Sequence, residues 1–212
     1  MRRLTGKSST IEIVVFSDYI CPFCFVGYLT LKKLREEYGE RIRLTWKHYP
    51  LYPRAFKPVL SDSYVLSVFE RVKRLIEERG LNVEVVPPEL PFTLPDSEKA
   101  FEASECARDQ GRFWEFHERV FEALFLEHRN IGSVEVLKDI AAEVGMDVER
   151  FEECLRSGVK RDVIFKNHRE GRTKGILGVP AFIIKNHAVI VGAEPYTLFK
   201  EEIERALRLE ST

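Results

Sequence analysis

Two cysteines in this chain have the type and spacing to do chemistry together: Cys21 and Cys24, separated by Pro22 and Phe23. Cysteines at this spacing, placed at the start of a helix, lie one turn apart and close a disulfide without disturbing the helix. The same geometry makes them unequal. Cys21 falls at the N-cap end, where free backbone N–H groups and the positive end of the helix dipole favour a thiolate. Cys24, one turn further in, is shielded. The chemistry implied is thiol–disulfide exchange, with Cys21 attacking and Cys24 resolving the mixed disulfide. Pro22 suits the first turn, because the N–H it lacks would have no intrahelical partner. Phe23 brings no charge, so its tuning of the thiols is by desolvation and by orienting neighbouring N–H groups.

A Cys-x-x-Cys pair is also half of a zinc site. That reading needs a second ligand pair, whereas Cys106 and Cys154 are isolated and no Cys-x-x-His or His-x-x-x-His partner is present. Cys106 and Cys154 read as small core residues, with a disulfide between them as the alternative if the fold brings their Cα atoms within about 7 Å. His48 could tune a thiolate or be a satisfied core histidine, and His117, His128, His168 and His187 show no ligand spacing. The aromatic group Phe113, Trp114, Phe116, Phe121 and Phe125 recurs at helical spacing, which favours a core over a substrate groove.

A second signature is Gly178-Val179-Pro180-Ala181-Phe182. Proline just before a buried strand is poorly explained by strand formation, since it lacks the donor. It reads as a trans loop proline or as a cis-proline turn, and the upstream cysteine pair favours the second. The Val179 backbone would then be free to pair with an extended substrate by strand addition.

These residues need a scaffold. Ile11 to Phe16 is a nearly continuous apolar run that reads as a buried strand. A short turn at Ser17, Asp18 and Tyr19 leads to Cys21-Pro22, which open a helix carrying Phe25, Tyr28, Leu29, Leu31, Leu34 and Tyr38 and ending at Gly39. Ile42 to Tyr49 follows as a strand with Ile42, Leu44 and Trp46 on one face. Residues 60 to 160 read as almost wholly helical: a helix through Val65, Phe69, Val72 and Ile76, a connector with four prolines from Val86 to Pro95, then helices over Ser97–Asp109, Arg112–Glu127, Ser133–Val144 and Asp147–Arg156. Strands return at Ala181–Ile184 and Ala188–Val191, joined by Lys185-Asn186-His187, before a last helix opened by Pro195. The predicted order is β-α-β, a helical block, then β-β-α.

With 212 residues, 44% of them hydrophobic, the chain can bury one core or a domain with a large insertion. Its 33 basic and 34 acidic residues leave no basic excess for nucleic acid and no acidic tail. Charged residues make up 32% while Gln110 is the single glutamine, a mix that leans towards a thermophilic source. Met1 to Thr10 is polar, so no secretory signal is evident, and no apolar run reaches the length of a membrane span. A cytoplasmic location is the expectation.

The segment Asp18-Tyr19-Ile20-Cys21-Pro22-Phe23-Cys24-Phe25-Val26-Gly27 resembles the active-site segment of DsbA-like oxidoreductases, most closely the FrnE-like branch. Gly178-Val179-Pro180-Ala181-Phe182-Ile183-Ile184, with Val191-Gly192-Ala193-Glu194-Pro195, is similar to the cis-proline loop and hairpin end of that family. The resemblance implies a nucleophilic Cys21, a resolving Cys24 and a cis Pro180. Pro22-Phe23 stands where the best-known member has Pro-His, so the strong oxidant character of that protein does not transfer. Glu194 stands where relatives often have Gln.

The expected fold is α/β, thioredoxin-like, with an all-helical insertion: a discontinuous thioredoxin-like domain over 9–58 and 160–212, and an insertion domain over 59–159. The expected function is dithiol–disulfide exchange at Cys21 and Cys24, with Val179 and Pro180 binding substrate and Pro22 and Phe23 tuning. The expected partners are protein or peptide thiols and disulfides, with a redox-recycling protein or glutathione as the further participant, and no nucleic acid or membrane. No cofactor beyond the Cys21–Cys24 disulfide and no metal are expected. The alternative is a glutathione-dependent isomerase or transferase of the related kappa-class or hydroxychromene carboxylate isomerase type, which use a serine near this position.

Overall fold

The computed structural model describes residues 10–52, 58–185 and 187–210. The polar leader over residues 1–9, Asn186 of the hairpin turn and the domain limits at 9 and 212 lie outside the described residues.

Strand β1 (Ile11–Ser17) is the centre of a four-stranded sheet of order β2-β1-β3-β4. It pairs in parallel with β2 (Ile42–His48), in a register that sets Val15 beside Trp46 and Ser17 beside His48. On its other side it pairs antiparallel with β3 (Ala181–Ile184), which pairs antiparallel with β4 (Ala188–Val191). Paired on both edges and covered on both faces, β1 is apolar at every position from Ile13 to Phe16, which accounts for its lack of alternation there. Ile11, Ile13 and Val15 enter the large core cluster. Phe16 points the other way, into a small cluster with Tyr49, Ile176 and Ala181.

Helix α1 (Pro22–Tyr38) joins β1 to β2 through a 3-10 turn at Gly39–Arg41. Its buried face runs through Phe25, Tyr28, Leu31, Leu34 and Tyr38, the spacing of one helical stripe. Between β2 and β3 lie α2 (Asp62–Glu78), α3 (Ser97–Asp109), α4 (Phe113–Phe125), α5 (Val134–Glu143), α6 (Val148–Ser157) and α7 (Arg161–Thr173). Side chains start three of them: Ser61 accepts from Tyr64 N–H, Asp96 from Glu98 N–H and Asp147 from Arg150 N–H. The proline-rich stretch between α2 and α3 forms no regular element. Helix α8 (Tyr196–Glu210) closes the chain, with Phe199 edge-on to Phe182 at 4.8 Å between ring centroids. The chain has a thioredoxin-like α/β fold, and the large apolar cluster continues from the sheet into α2–α6.

One element departs from the sequence reading. The helical block was expected to end near residue 160, yet α7 adds a further helix packed on β2. Its buried residues are only Ile164, Asn167 and Gly171, while Phe165 faces outward at 63% exposure, so the apolar stripe is too narrow to show in the sequence. Gly171 looks like a helix breaker, but it lets the helix approach the sheet. A Cβ there would lie 2.9 Å from the Tyr49 ring and 3.0 Å from that of Phe16.

The other difference concerns Cys106 and Cys154. They are not two separate core thiols but a disulfide joining α3 to α6 across 48 residues.

Candidate active site around Cys21 and Cys24

The turn between β1 and α1 is built by Asp18. The Asp18 carbonyl accepts the Cys21 N–H at 3.2 Å, and its Oδ1 accepts the Ile20 N–H at 3.2 Å. Oδ2 reaches out of the turn to accept the Leu51 N–H at 2.7 Å, tying the site to the segment after β2. The carboxyl group is fully buried, and burial pushes it up to about 6 against these hydrogen bonds. Tyr19, next in the turn, is held by the helices that follow: its hydroxyl meets His117 Nδ1 at 2.7 Å, and its ring lies 5.0 Å from Phe121 and 5.6 Å from Phe101.

Cys21 is the N-cap of α1 in extended conformation, and Pro22 occupies the first helical position. Cys24 and Phe25 N–H both donate to the Cys21 carbonyl, at 2.9 and 3.2 Å. Pro22 has no donor to leave unpaired, and the Phe23 N–H, in the first turn, has no intrahelical acceptor at the end of the helix where the Cys21 sulfur sits. Both cysteines are free thiols. Cys24 is the deeper one, at 1% exposure against 5% for Cys21. Its sulfur accepts the Asp18 N–H at 3.4 Å. Burial pushes the Cys24 thiol well above its ordinary value, and the adjoining Cys21 adds to the effect. Cys24 is therefore held as a protonated thiol behind its partner.

Val179 and Pro180 come from the other end of the chain. The Val179–Pro180 peptide bond is cis. The Cys21 thiol donates to the Val179 carbonyl at 3.7 Å, a sulfur hydrogen bond between residues 158 apart. Gly27, one turn beyond Cys24, permits this docking: a Cβ there would lie 2.9 Å from Phe182 Cζ and 3.3 Å from Pro180 Cγ.

Cys21 opens on a cavity of about 1000 Å³ whose walls include Phe23, Val179 and, from the helical block and its proline-rich connector, Phe69, Phe92 and Phe125. The aromatic group of α4 therefore divides. Phe113, Phe116 and Phe121 are buried in the core, whereas Phe125 both packs there and faces this cavity.

His48 is a core histidine. It is fully buried, with Nε2 at 3.0 Å from Glu105 and 3.1 Å from the Ser104 hydroxyl. Burial lowers its proton affinity against the pull of Glu105. Burial also opposes ionisation of Glu105, but hydrogen bonds from His48 and Arg108 outweigh it and hold the carboxyl at about 2. His117 is buried and driven well below its ordinary value by desolvation.

The structure thus gathers Cys21, Pro22, Phe23, Cys24, Val179 and Pro180 in one place and leaves His48 with Glu105 and Ser104. Sequence reasoning placed Asp18 in the turn before Cys21 but gave its carboxylate no role, although an Asp there is a turn-building signal. It passed over Arg71 of α2, whose guanidinium lies over the Phe23 ring at 5.2 Å. No local pattern points to that contact.

A DSBA-like thioredoxin domain matches residues 12–204. YwbO of Bacillus subtilis is 31% identical over 198 residues, covering 92% of this chain and 96% of its own. Among solved structures, a probable DsbA oxidoreductase from Streptomyces coelicolor superposes with a TM-score of 0.77 at 18% identity, covering 92% of this chain and 89% of its own. The cytosolic disulfide reductase DsbM from Pseudomonas aeruginosa, solved with GSH, gives a TM-score of 0.70 at 19% identity, covering 92% of this chain and 99% of its own.

Proposed function

The chain belongs to the DSBA-like thioredoxin domain family, and from that premise we propose that it is an oxidoreductase exchanging a Cys21–Cys24 dithiol or disulfide with protein or peptide partners. One observation carries this reading. Cys21 stands at the helix N-terminus, its sulfur against the Val179 carbonyl at the mouth of a cavity, with Cys24 buried directly behind it.

In the reducing direction, the Cys21 thiolate attacks one sulfur of a substrate disulfide. That disulfide breaks, one substrate thiolate leaves and takes up a proton, and the other sulfur stays bonded to Cys21. Cys24 then gives up its proton and attacks the Cys21 sulfur, expelling the second substrate thiol. Two electrons and two protons pass from the dithiol to the substrate, and the reverse sequence oxidises a substrate dithiol. Burial keeps Cys24 protonated, so it does not compete with Cys21 in the first attack. Val179 and Pro180 form the ledge along which the substrate backbone lies. Pro22 and Phe23 shape the first helical turn, and Phe23 also walls the cavity. Glutathione or a dedicated redox protein would return the pair to its working state.

Reduction of a peptide or insulin disulfide tests this. Activity is expected to vanish in Cys21→Ser, and Cys24→Ser is expected to accumulate a mixed disulfide at Cys21. Exchange that survives Cys21→Ser would sink the assignment. Turnover of an organic electrophile with glutathione by the Cys24→Ser protein would replace it with the isomerase or transferase reading.

A further inference from the structure

A second cavity, of about 640 Å³, meets the first at Phe23 and Val179, which line both. Its other walls come from the C-terminal half of α2 and from the turn between β4 and α8, and they bring four charged residues together: Arg71, Glu78, Arg79 and Glu194. Three of them form one group. Arg79 is half-buried and donates through Nη2 to the Ala193 carbonyl, and Glu194 and Glu78 are the charges that act on it. Arg71 stands apart. It is exposed, its guanidinium covers the Phe23 ring, and it has no ion pair among the described residues. A guanidinium held over a ring and without an ion pair has N–H donors left for a carboxylate, which it can take in a bidentate grip.

We propose that this second cavity is a subsite for a carboxylate carried close to the reacting cysteine of the thiol substrate, with Arg71 as the residue that takes it. The proposal rests on the exchange reading above and adds a substrate class to it. A chain tethered to Cys21 and lying against Val179 has two ways out. One enters the first cavity, between Phe69, Phe92 and Phe125, and suits an apolar side chain. The other crosses Phe23 and meets Arg71. Phe23 and Val179 line both cavities, so a carboxylate close in sequence to the substrate cysteine meets the guanidinium on the far side of Phe23. Glu78 and Glu194 repel further negative charge beyond that point, so the subsite accepts one carboxylate and not an acidic run. Two sources offer this chemistry: an acidic residue beside a polypeptide cysteine, or a small carboxylate-bearing thiol such as glutathione.

The test uses the full chain and its Arg71→Gln, Arg71→Lys and Arg71→Glu variants. The substrates are disulfide peptides with Glu, Gln or Lys two residues to either side of the cysteine, and glutathione disulfide. The Cys21–Cys24 reduction potential is measured for each variant. The parent is expected to favour the Glu peptide over the Gln peptide by roughly 3- to 10-fold in kcat/KM, less at high salt. Arg71→Lys should keep part of that preference, Arg71→Gln should abolish it, and Arg71→Glu should turn it towards the Lys peptide. Dependence on Arg71 with the peptides identifies a polypeptide carboxylate; dependence with glutathione disulfide alone identifies the small thiol, and either supports the subsite. A parent indifferent to peptide charge whose turnover of glutathione disulfide is also unchanged in the Arg71 variants, or a peptide preference unmoved in Arg71→Glu, overturns it. So does a change in potential without a change in the peptide ratio, because Arg71 would then act on the thiols. In those failures exchange persists and only the charge preference is missing. Loss of Cys21-dependent exchange with every substrate would instead remove the exchange reading, and the subsite with it.

Discussion

The Asp18 carboxylate accepts the Leu51 N–H at 2.7 Å, joining the turn that presents Cys21 to the chain leaving β2. That bond holds a fully buried carboxylate in the turn before Cys21, and it has a consequence for pH. The folded value of Asp18, about 6, lies above its ordinary 3.8, so the folded protein holds this proton more tightly than the unfolded chain does. Stability from Asp18 is present in full below about pH 4 and is lost as the pH rises through 6. The loss comes to about 3 kcal/mol at 1.36 kcal/mol per pK unit. Denaturant titrations at pH 4, 5, 6 and 7 should show this falling component, and Asp18→Asn should remove it. A parent and an Asp18→Asn protein with parallel pH profiles would contradict the assignment.

Glu105 has the opposite sign. Its folded value of about 2 lies below its ordinary 4.5, held there by His48 and Arg108 despite burial. Its contribution is present above about pH 4.5 and disappears as the pH falls through 2, again about 3 kcal/mol. Acid unfolding of Glu105→Gln should therefore begin from a lower stability at neutral pH and show a shallower loss between pH 4.5 and 2. The Asp18 and Glu105 windows scarcely overlap, so one pH series separates them.

Gly27→Ala should destabilise the protein, even though alanine is the better helix former by about 1 kcal/mol. The new methyl would sit 2.9 Å from Phe182 Cζ. Phe182 is fully buried and backed by Phe199 at 4.8 Å, so it has no room to retreat. Overpacking costs about 1–3 kcal/mol and outweighs the propensity gain. Because Pro180 Cγ is the other near atom, at 3.3 Å, the same substitution should also slow disulfide exchange by moving the Val179–Pro180 ledge off Cys21. Urea unfolding and a peptide-disulfide assay read the two effects. A variant as stable and as fast as the parent would show that the helix and ledge are not locked together.

The Cys106–Cys154 bridge should matter for stability and not for exchange. It closes a segment of 48 residues between α3 and α6. Chain-entropy reasoning for a loop of that length gives about 4 kcal/mol from constraining the unfolded chain. The Cys106→Ser, Cys154→Ser double variant should lose stability of that order in denaturant while reducing peptide disulfides at the parent rate. A fall in exchange rate measured well below the melting temperature would instead make this bridge part of the redox chemistry.

Much of the candidate site was legible because it is local. Cys21 and Cys24 sit at a strand-to-helix junction, and their spacing, the proline between them and the apolar run before them are neighbours in sequence. The N-cap position of Cys21 and the shielding of Cys24 follow from helix geometry, and the flanking strands and most of the helices from apolar runs and spacing. The turn at Asp18 was legible in the same way, though not the reach of its carboxylate to Leu51.

Tertiary structure alone decided the contacts between segments far apart in the chain. Cys106 meets Cys154 across 48 residues, Leu51 meets Asp18 across 33, and Arg71 of the helical block covers Phe23. None of these leaves a periodic trace, because each depends on how packed elements are set against one another. Helix α7 was hidden for the same reason. Its glycine is required by the rings of Tyr49 and Phe16, which come from elsewhere in the sequence. Spacing along the chain determined that this protein carries a paired thiol at a helix start. What surrounds that pair, and so what kind of substrate can approach it, was settled by packing, since only the folded core brings distant side chains within hydrogen-bonding and van der Waals range.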